Sequence, residues 1–387
     1  MQVGIDQIGF YTPNKYVDML DLAHARGVEP NKYLIGIGQS KMSVADQSQD
    51  AVSMGINATL SYINKVDLEQ VGLLIMGTES GVDQSKSASL FVKSALKLPP
   101  EVRTFEIKEA CFGMTAGIMV ARDYVRLHPE HSAIVIGSDI ARYGLKTGGE
   151  VTQGAGSVSV LIKANPRILA LTSGHSAYSA DINDFWRPNN SAVALVDGKY
   201  STEVYLDFFQ RTFQAYKSKQ KMTTADFTAI LYHLPFVKMG LKANQLAVAE
   251  QDAKTKKRLE ENFTASTLYS KQVGNIYTAS LYLGLLSLLE DGKLSAADTI
   301  GLFSYGSGAM GEFYAGKVMA NYEQALNKVA DEKMIARRQQ LTIADYEQIF
   351  KQALQFPADN IELSSDEAPG YWYFAGTKNH VRQYQRK

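Results

Sequence analysis

The stretch Glu109-Ala-Cys111-Phe-Gly113-Met-Thr-Ala-Gly117-Ile-Met119 follows a strand-like run, Val102 to Ile107, and opens a segment that stays apolar on nearly every face as far as Val125. A helix apolar all round is buried all round. The passage therefore predicts a strand feeding a helix in the middle of the molecule, with a cysteine at the helix start. Gly113, Ala116 and Gly117 would let that helix pass close to neighbouring backbone.

Outward from this stretch, short apolar runs that end in small or polar residues recur at Val71 to Gly77, Ala133 to Gly137, Phe227 to Tyr232 and Thr299 to Tyr305. Each predicts a buried strand. Ile276 to Leu289 predicts a second buried helix. The class is α/β, with sheets covered by helices. The order strand, polar tip, buried helix, strand occurs twice, marked first by Glu79, Cys111 and Asp139 and then by His233, Asn275 and Ser307. No period of 20 to 50 residues is present, which excludes a solenoid. The pattern predicts one α/β unit duplicated, with halves 1–165 and 166–387 meeting near Asn165-Pro166. After Met310 the chain reads as polar and helical, through a helix at Asp345 to Leu354. It ends in Tyr371-Trp372-Tyr373-Phe374 and a basic tail, expected to serve packing and solvation. The basic run Lys254 to Arg258 is expected to be a solvated helix face.

The 387 residues are enough for two or three domains' worth of core. Hydrophobic residues make up 45% and charged residues 21%, which excludes disordered, collagenous and coiled-coil classes. Forty basic residues balance forty acidic ones, so the diffuse positive field of a nucleic-acid or anionic-membrane binder is absent. The single cysteine favours a reducing cytoplasm over a secreted, disulfide-bearing state. Met1 to Asp6 lacks a basic leader, and Ile276 to Leu289 falls short of a membrane span, so neither a cleaved signal nor membrane insertion is expected.

Several residues then stand out as candidates for chemistry. At a helix start, unpaired N–H groups and the helix dipole would stabilise the Cys111 thiolate and lower its pKa; an inert core cysteine is the alternative. His233 ends an apolar strand and precedes Leu-Pro-Phe, placing its ring at the carboxyl edge of a sheet, where α/β sites form. A hydrogen-bonded core histidine fits equally well. Glu79 caps Leu-Leu-Ile-Met-Gly-Thr, where desolvation would raise a carboxyl toward the range of a general base, or it simply caps a helix. Asn275, in Gly-Asn-Ile-Tyr-Thr, is either an N-cap or a catalytic donor. His128 and His131, in His-Pro-Glu-His, read as surface residues without the ligands to complete a zinc site.

Gly306-Ser307-Gly-Ala-Met-Gly311 matches the dinucleotide fingerprint in letters only, because no second strand is expected before Asp331-Glu332 to supply the acidic residue. Its freed N–H groups fit better as oxyanion donors lining a pocket. Lys238 and Lys242 lie one turn apart beyond His233, placed to grip phosphates or to form a solvated face. The absence of a G-x-S-x-G elbow and of a Walker loop disfavours an α/β-hydrolase or a P-loop nucleotidase.

Taken together, these tips resemble the thiolase superfamily, and Glu79 narrows the resemblance to the 3-hydroxy-3-methylglutaryl-coenzyme A (HMG-CoA) synthases, in their compact bacterial form. The motifs that carry it are Lys32-Tyr-Leu-Ile-Gly-Ile-Gly-Gln-Ser-Lys-Met42, Gly-Thr-Glu79-Ser, Glu109-Ala-Cys111-Phe-Gly, Gly137-Ser-Asp139-Ile-Ala, Val196-Asp-Gly-Lys-Tyr-Ser201, His233-Leu-Pro-Phe, Gly274-Asn275-Ile-Tyr-Thr and Phe303-Ser-Tyr-Gly-Ser307-Gly. The resemblance implies a layered αβαβα fold. It implies that Cys111 takes acetyl from acetyl-CoA, Glu79 removes a methyl proton, and the carbanion attacks acetoacetyl-CoA. His233 then protonates the new alkoxide, and water releases the product. It further implies that Asn275 holds the acetoacetyl carbonyl and that N–H groups of Cys111 and Ser307 form an oxyanion hole. Substrate would be bound by Thr152, Ser201, Lys242, Glu29, Tyr143 and Lys238, with Asp139 and Asp184 as structural supports. A homodimer without metal or cofactor is expected. A thioester's weak resonance makes it electrophilic and its α-carbon acidic, which suits a thiol nucleophile.

Asp184-Phe-Trp186-Arg187-Pro departs from longer relatives, which carry Tyr where this chain has Trp186. The rival readings are a decarboxylating ketoacyl-carrier-protein synthase, which needs no base at Glu79, a polyketide-branching form with a carrier-bound acceptor, a silent thiolase-fold binding protein, and a nicotinamide-binding module built on Gly306 to Gly311.

Overall fold

The computed structural model describes residues 1–353 and 358–387. Nine strands form the main sheet: β1 (Val3–Tyr11), β2 (Val71–Gly77), β3 (Arg103–Ile107), β4 (Ser132–Ala141), β5 (Gly154–Ala164), β6 (Leu169–Ser179), β7 (Ala229–Tyr232), β8 (Thr299–Gly306) and β9 (Met310–Val318). Their lateral order is β7-β8-β9-β6-β1-β5-β4-β2-β3. β2 is parallel to β3 and β4, and β7 is parallel to β8; the remaining neighbours are antiparallel.

This order contains the duplication. From the centre outward, β1-β5-β4-β2 in the first half corresponds to β6-β9-β8-β7 in the second, and β3 alone has no counterpart. The halves meet where β1 and β6 pair through only Gly4↔Ala170 and Ile5↔Leu169.

Side-chain alternation along the strands builds the layers. Leu73 and Ile75 of β2, with Ala133 and Val135 of β4, face one core, while Leu74, Met76, Ile134 and Ile136 face another. In the second half, Leu231 and Leu302 share the first of these cores, and Ile230, Tyr232, Phe303 and Phe313 face a third. The shared core also holds Met114, Ile118, Ala121 and Val125 of helix α2 (Gly113–Leu127) and Leu281 to Leu289 of helix α5 (Ser280–Asp291). On the outer faces lie α1 (Ala51–Leu60), packed against β2 and β4, and α3 (Gly198–Gln220), packed against β8 and β9 with Phe208, Phe209 and Phe213. The result is the five-layered αβαβα arrangement, in which α5 is buried from Ser280 to Leu289, whereas α2 falls short of the all-round burial expected of it and exposes Val120, Asp123, Arg126 and Leu127.

The expected strands are present, Val71–Gly77 to the residue. Ile276 to Leu289 begins with a 3₁₀ turn, Tyr277–Ala279, before α5. The segment after Met310 corrects the sequence reading, because Met310–Val318 is a strand and not a polar helical stretch. Phe313 and Tyr314 face opposite cores, so the strand is buried on both sides and lacks the alternation that would have revealed it. A helix occupies Ile343–Ala353; Leu354, the expected end, lies outside the described residues. In the basic run, Lys254, Lys256 and Lys257 are exposed, whereas Arg258 departs from expectation by donating to the carbonyls of Ala225 and Phe227. The C-terminal aromatic run enters a small sheet, where Trp372–Lys378 pairs with Val381–Arg386 and the backbone of Trp372 bonds Asn57.

Candidate active site

Because β2 and β4 are parallel and in register at Gly77↔Gly137, the residues just beyond them leave the sheet on the same edge. Asp139 uses that proximity. One of its carboxylate oxygens accepts from the Glu79 N–H at 2.7 Å, the Ser80 hydroxyl at 2.9 Å and the Thr78 hydroxyl at 3.0 Å. The other accepts from the Thr278 hydroxyl at 2.6 Å and its N–H at 3.1 Å. This fully buried carboxylate ties the end of β2 to the approach of α5 in the other half, a supporting position rather than a reacting one.

Cys111 reaches Glu79 by close backbone approach. A Cβ on Gly77 would lie 2.5 Å from the Gly113 carbonyl carbon and the Met114 nitrogen, so the start of α2 can sit on the strand end only if residue 77 is glycine. Ala110 takes a left-handed conformation at φ 41, as does Tyr277, at φ 42, before α5. Such residues cost on the order of 1–3 kcal/mol and persist where surrounding structure holds them. Here they turn the chain immediately beside Cys111 and Asn275. The Cys111 thiol donates to Glu79 Oε1 at 3.0 Å.

The electrostatics of this pair correct the expectation of a lowered thiol pKa. Burial, the Glu79 carboxyl, and the more distant Asp139 and Asp184 hold the thiol pKa well above its usual value. Cys111 precedes the N-cap, Phe112, and a helix terminus contributes about 0.3–1 kcal/mol, which these terms outweigh. Burial, with Asp139 nearby, pushes Glu79 up to about 8. The pair is therefore a protonated thiol beside a carboxyl that ionises only near or above neutrality.

In the second half, β7 ends at Tyr232 and delivers His233 at the position that corresponds to Glu79. The Tyr205 hydroxyl fixes this turn by donating to the His233 carbonyl at 2.7 Å. Burial lowers the imidazole to about 3, so it is neutral at physiological pH, and Nδ1 has no hydrogen-bond partner among the described residues. Asn275 combines the two roles its sequence left open. Oδ1 accepts from the Tyr277 N–H and the Ser280 hydroxyl, both at 2.8 Å, which caps the turn into α5, and Nδ2 donates to the Tyr143 hydroxyl at 3.2 Å.

The glycine-rich segment is the β8–β9 hairpin, Gly306↔Met310, with no helix for a pyrophosphate to cap. A Cβ on Gly306 would meet the Glu109 carbonyl at 2.7 Å, so this hairpin rests on the turn that carries Cys111. Asp184 anchors it, accepting from the Gly308 N–H at 3.0 Å and the Tyr305 hydroxyl at 2.8 Å, and it also accepts from the Ser201 hydroxyl at 3.2 Å.

These elements enclose a cavity of about 570 Å³ on which Cys111, Tyr143, Thr152, Ser201, His233, Asn275 and Ser307 all open. Phe185, Leu195, Val196, Phe236 and Met239 supply apolar wall, and no carboxylate, lysine or arginine is among its lining residues. Three expected substrate residues lie elsewhere. Glu29 is exposed in the turn before Lys32–Ile37, and Lys238 and Lys242 are half-buried on helix α4 (Val237–Val248), whose Met239 faces the cavity. A lysine stem long enough to snorkel keeps its ammonium in water outside an apolar wall. His128 and His131 lie at the surface as expected, although Glu130 approaches them closely enough that the three could share an ion. Tyr205, Tyr305 and Arg187 were missed. Tyr205 could have been found, since it lies four residues after Ser201 on one face of α3.

A duplicated five-layered α/β fold with cysteine, histidine and asparagine converging on one apolar cavity defines an acyl-transferring enzyme of the thiolase-like class. Comparison with known proteins gives the family. Residues 1–167 match the model for "Hydroxymethylglutaryl-coenzyme A synthase N terminal" and residues 245–387 that for the C terminal. The chain belongs to the HMG-CoA synthase family. It is 42% identical over 386 residues to the hydroxymethylglutaryl-CoA synthase of Enterococcus faecalis, covering 100% of both chains. It is 30% identical to a polyketide-biosynthesis 3-hydroxy-3-methylglutaryl-ACP synthase of Bacillus subtilis, covering 96% of this chain and 93% of the relative. A crystal structure of an HMG-CoA synthase complexed with CoA superposes with a TM-score of 0.95 at 39% identity, covering 100% of both. Among the described residues, no helix is long and apolar enough to cross a membrane.

Proposed function

We propose that the chain condenses acetyl-CoA with acetoacetyl-CoA and water to give HMG-CoA and CoA, the reaction of its family in the mevalonate route to isoprenoids. One juxtaposition carries the residue assignment: the chain's single thiol lies 3.0 Å from a carboxyl pushed up to about 8, at an apolar cavity that also holds His233 and Asn275. Residues 1–165 supply nucleophile and base, and residues 166–387 supply the groups that receive the acceptor.

Cys111 attacks the acetyl carbonyl of acetyl-CoA. The thioester bond to CoA breaks, and the thiol proton, first offered to Glu79, leaves with CoA as its thiol. Glu79 as carboxylate then takes a methyl proton from acetyl-Cys111, and the carbanion attacks the ketone of acetoacetyl-CoA, which Asn275 Nδ2 orients. N–H groups of Cys111 and Ser307 stabilise the thioester oxygen. His233 begins neutral and hydrogen-bonds the ketone oxygen; the negative charge that builds there raises its proton affinity, and the proton it gives to the alkoxide is made good by the one that Glu79 took from the methyl carbon. Net, one proton moves from methyl carbon to oxygen. Water then cleaves the Cys111 thioester. Thr152, Ser201 and Tyr143 line the acyl and pantetheine path, with Lys238 and Lys242 facing the phosphates outside the cavity; Glu29 is the outermost of these assignments. These steps call on no metal and no cofactor beyond the substrates.

We place the enzyme in the cytoplasm, where its lone thiol stays reduced. A homodimer is supported by the outer edge of β3, which no strand of this chain covers among the described residues. The higher identity to the CoA-dependent relative than to the carrier-protein-dependent one favours a CoA-bound acceptor. Intact-mass analysis after incubation with acetyl-CoA tests the reading: a single acetyl adduct on the Cys111 peptide, discharged as HMG-CoA on adding acetoacetyl-CoA, is expected. An adduct elsewhere, or none, would reject it.

A further inference from the structure

Arg187 follows the short strand Phe185–Trp186, which pairs with Leu195–Val196, and the neighbouring Asp184 anchors this segment to Tyr305, Gly308 and Ser201. From there, Arg187 Nη2 donates to the backbone carbonyl of Glu79, 108 residues away in the other half. The N–H of the same residue is held by Asp139 at 2.7 Å. A residue gripped at both its N–H and its C=O cannot swing, so the direction in which its carboxyl leaves the backbone is set from two sides.

The groups around that carboxyl come from several elements. Asp139 stands at the end of β4, Cys111 before α2, Tyr143 on the segment after β4 and Tyr277 before α5; burial holds both phenols protonated. Arg142 faces Arg187 and Tyr277. Of the charged groups that act on Glu79, Arg187 is the cation and Asp139 the anion.

We infer that Arg187 is a positioning residue for the general base, clamping the Glu79 peptide from the opposite half of the chain and stabilising the ionised carboxylate by its charge. The inference rests on the reading of Glu79 as the base. Arg187 is not among the residues that line the cavity, so its replacement leaves Cys111 and the acetyl-accepting wall in place.

The test is the pH profile of condensation from pre-formed acetyl-enzyme, using the full chain. In Arg187→Ala, the ascending limb should move up by about 0.5–1 unit, the effect of removing one nearby, largely solvated charge. At pH 7 that is a loss of about three- to tenfold, recovered at high pH. Arg187→Gln, which keeps a donor for the Glu79 carbonyl without charge, should show the same shift, whereas Arg187→Lys should restore the limb. Acetyl stoichiometry should stay at one in all three, which also reports that each variant is folded. A limb unmoved in both Arg187→Ala and Arg187→Gln, or a loss uniform across pH that Arg187→Lys does not relieve, would overturn the inference. Glu79→Gln separates the two layers. If that variant condenses at the wild-type rate, the base assignment itself falls and the inference with it; if it is inactive while the Arg187 limbs stay put, only the role of Arg187 falls.

Discussion

Replacing Glu79 by Gln keeps the volume of the side chain and removes its charge, and the structure gives different consequences for the two half-reactions. With its pKa pushed up to about 8, Glu79 is ionised in only about a tenth of molecules at pH 7. Wild-type condensation should therefore rise close to tenfold from pH 6 to pH 7 and level off above pH 8. Glu79→Gln should lack that limb and condense at least about a hundredfold more slowly, because a positioned base contributes 10²–10⁴-fold. Exchange of the acetyl methyl protons with deuterated solvent should vanish with it.

Acetylation should survive in the same variant. The Glu79 carboxyl raises the Cys111 pKa both by charge and by accepting its hydrogen bond, so its loss brings the thiolate within easier reach of alkali even as it removes the nearest proton acceptor. The expected signature is acetyl transfer that persists and speeds up with pH, set against condensation that fails at every pH. Intact mass reports the adduct, and quenched-flow separation of CoA from HMG-CoA reports each step. Condensation within tenfold of wild type would refute the reasoning and point to a carbanion made without a base. Acetylation and condensation lost equally at all pH values would mean that Glu79 serves the nucleophile alone.

Cys111→Ala should abolish the acetyl adduct; an adduct on its active-site peptide by mass spectrometry would contradict the nucleophile assignment. Lys242→Ala should raise KM for acyl-CoA more than it lowers kcat, the mark of lost uniform binding, and unchanged affinity at low salt would return Lys238 and Lys242 to a solvated helix face. Asn275→Ala should destabilise the fold by about 1–3 kcal/mol in urea, since it strands the Tyr277 N–H and the Ser280 hydroxyl in the interior. The His233 imidazole, held to about 3, should show no titration between pH 5 and 8 by NMR in the substrate-free enzyme, and a midpoint near 6.5 would show that water reaches it.

What could be read from the chain was what local pattern controls. Val71–Gly77 is apolar without interruption and bounded by turn residues, and Ser280–Leu289 is buried at every position, so their type and depth were visible directly, whereas α2 was legible as a helix but not in depth, since Arg122, Asp123 and Arg126 interrupt its apolar surface. Met310–Val318 was misread because Gly311, Glu312 and Lys317 break its apolar character, although Glu312 is itself buried. The positions of Glu79, Cys111, His233 and Asn275 at element ends were legible as well, and the fold does bring them together. The thiol's electrostatics were not. A helix start is written beside Cys111, but what overrides it is burial together with the Glu79 and Asp139 carboxyls, which come from roughly thirty residues to either side and are brought near by the close approach of Gly77 to Gly113. The Arg187–Glu79 contact lies further still from anything periodicity encodes, since it joins the two halves across 108 residues.

The duplication also explains why one burial environment yields opposite chemistry. Glu79 and His233 stand at corresponding strand ends, and desolvation acts on both in the same sense, against charge. It raises the carboxyl to about 8 and lowers the imidazole to about 3, so both are predominantly uncharged at pH 7. With the thiol also protonated and no aspartate, glutamate, lysine or arginine on the cavity wall, the proposed reaction offers an acyl-pantetheine a slot that is neutral at rest. In the proposed mechanism charge then appears only as the reaction creates it: on sulfur during transfer, on Glu79 when the base is needed, and on the acceptor oxygen beside His233. Groups that are neutral at rest and stabilise charge only as it develops favour the transition state over the ground state, which is the condition for binding energy to accelerate the chemical step.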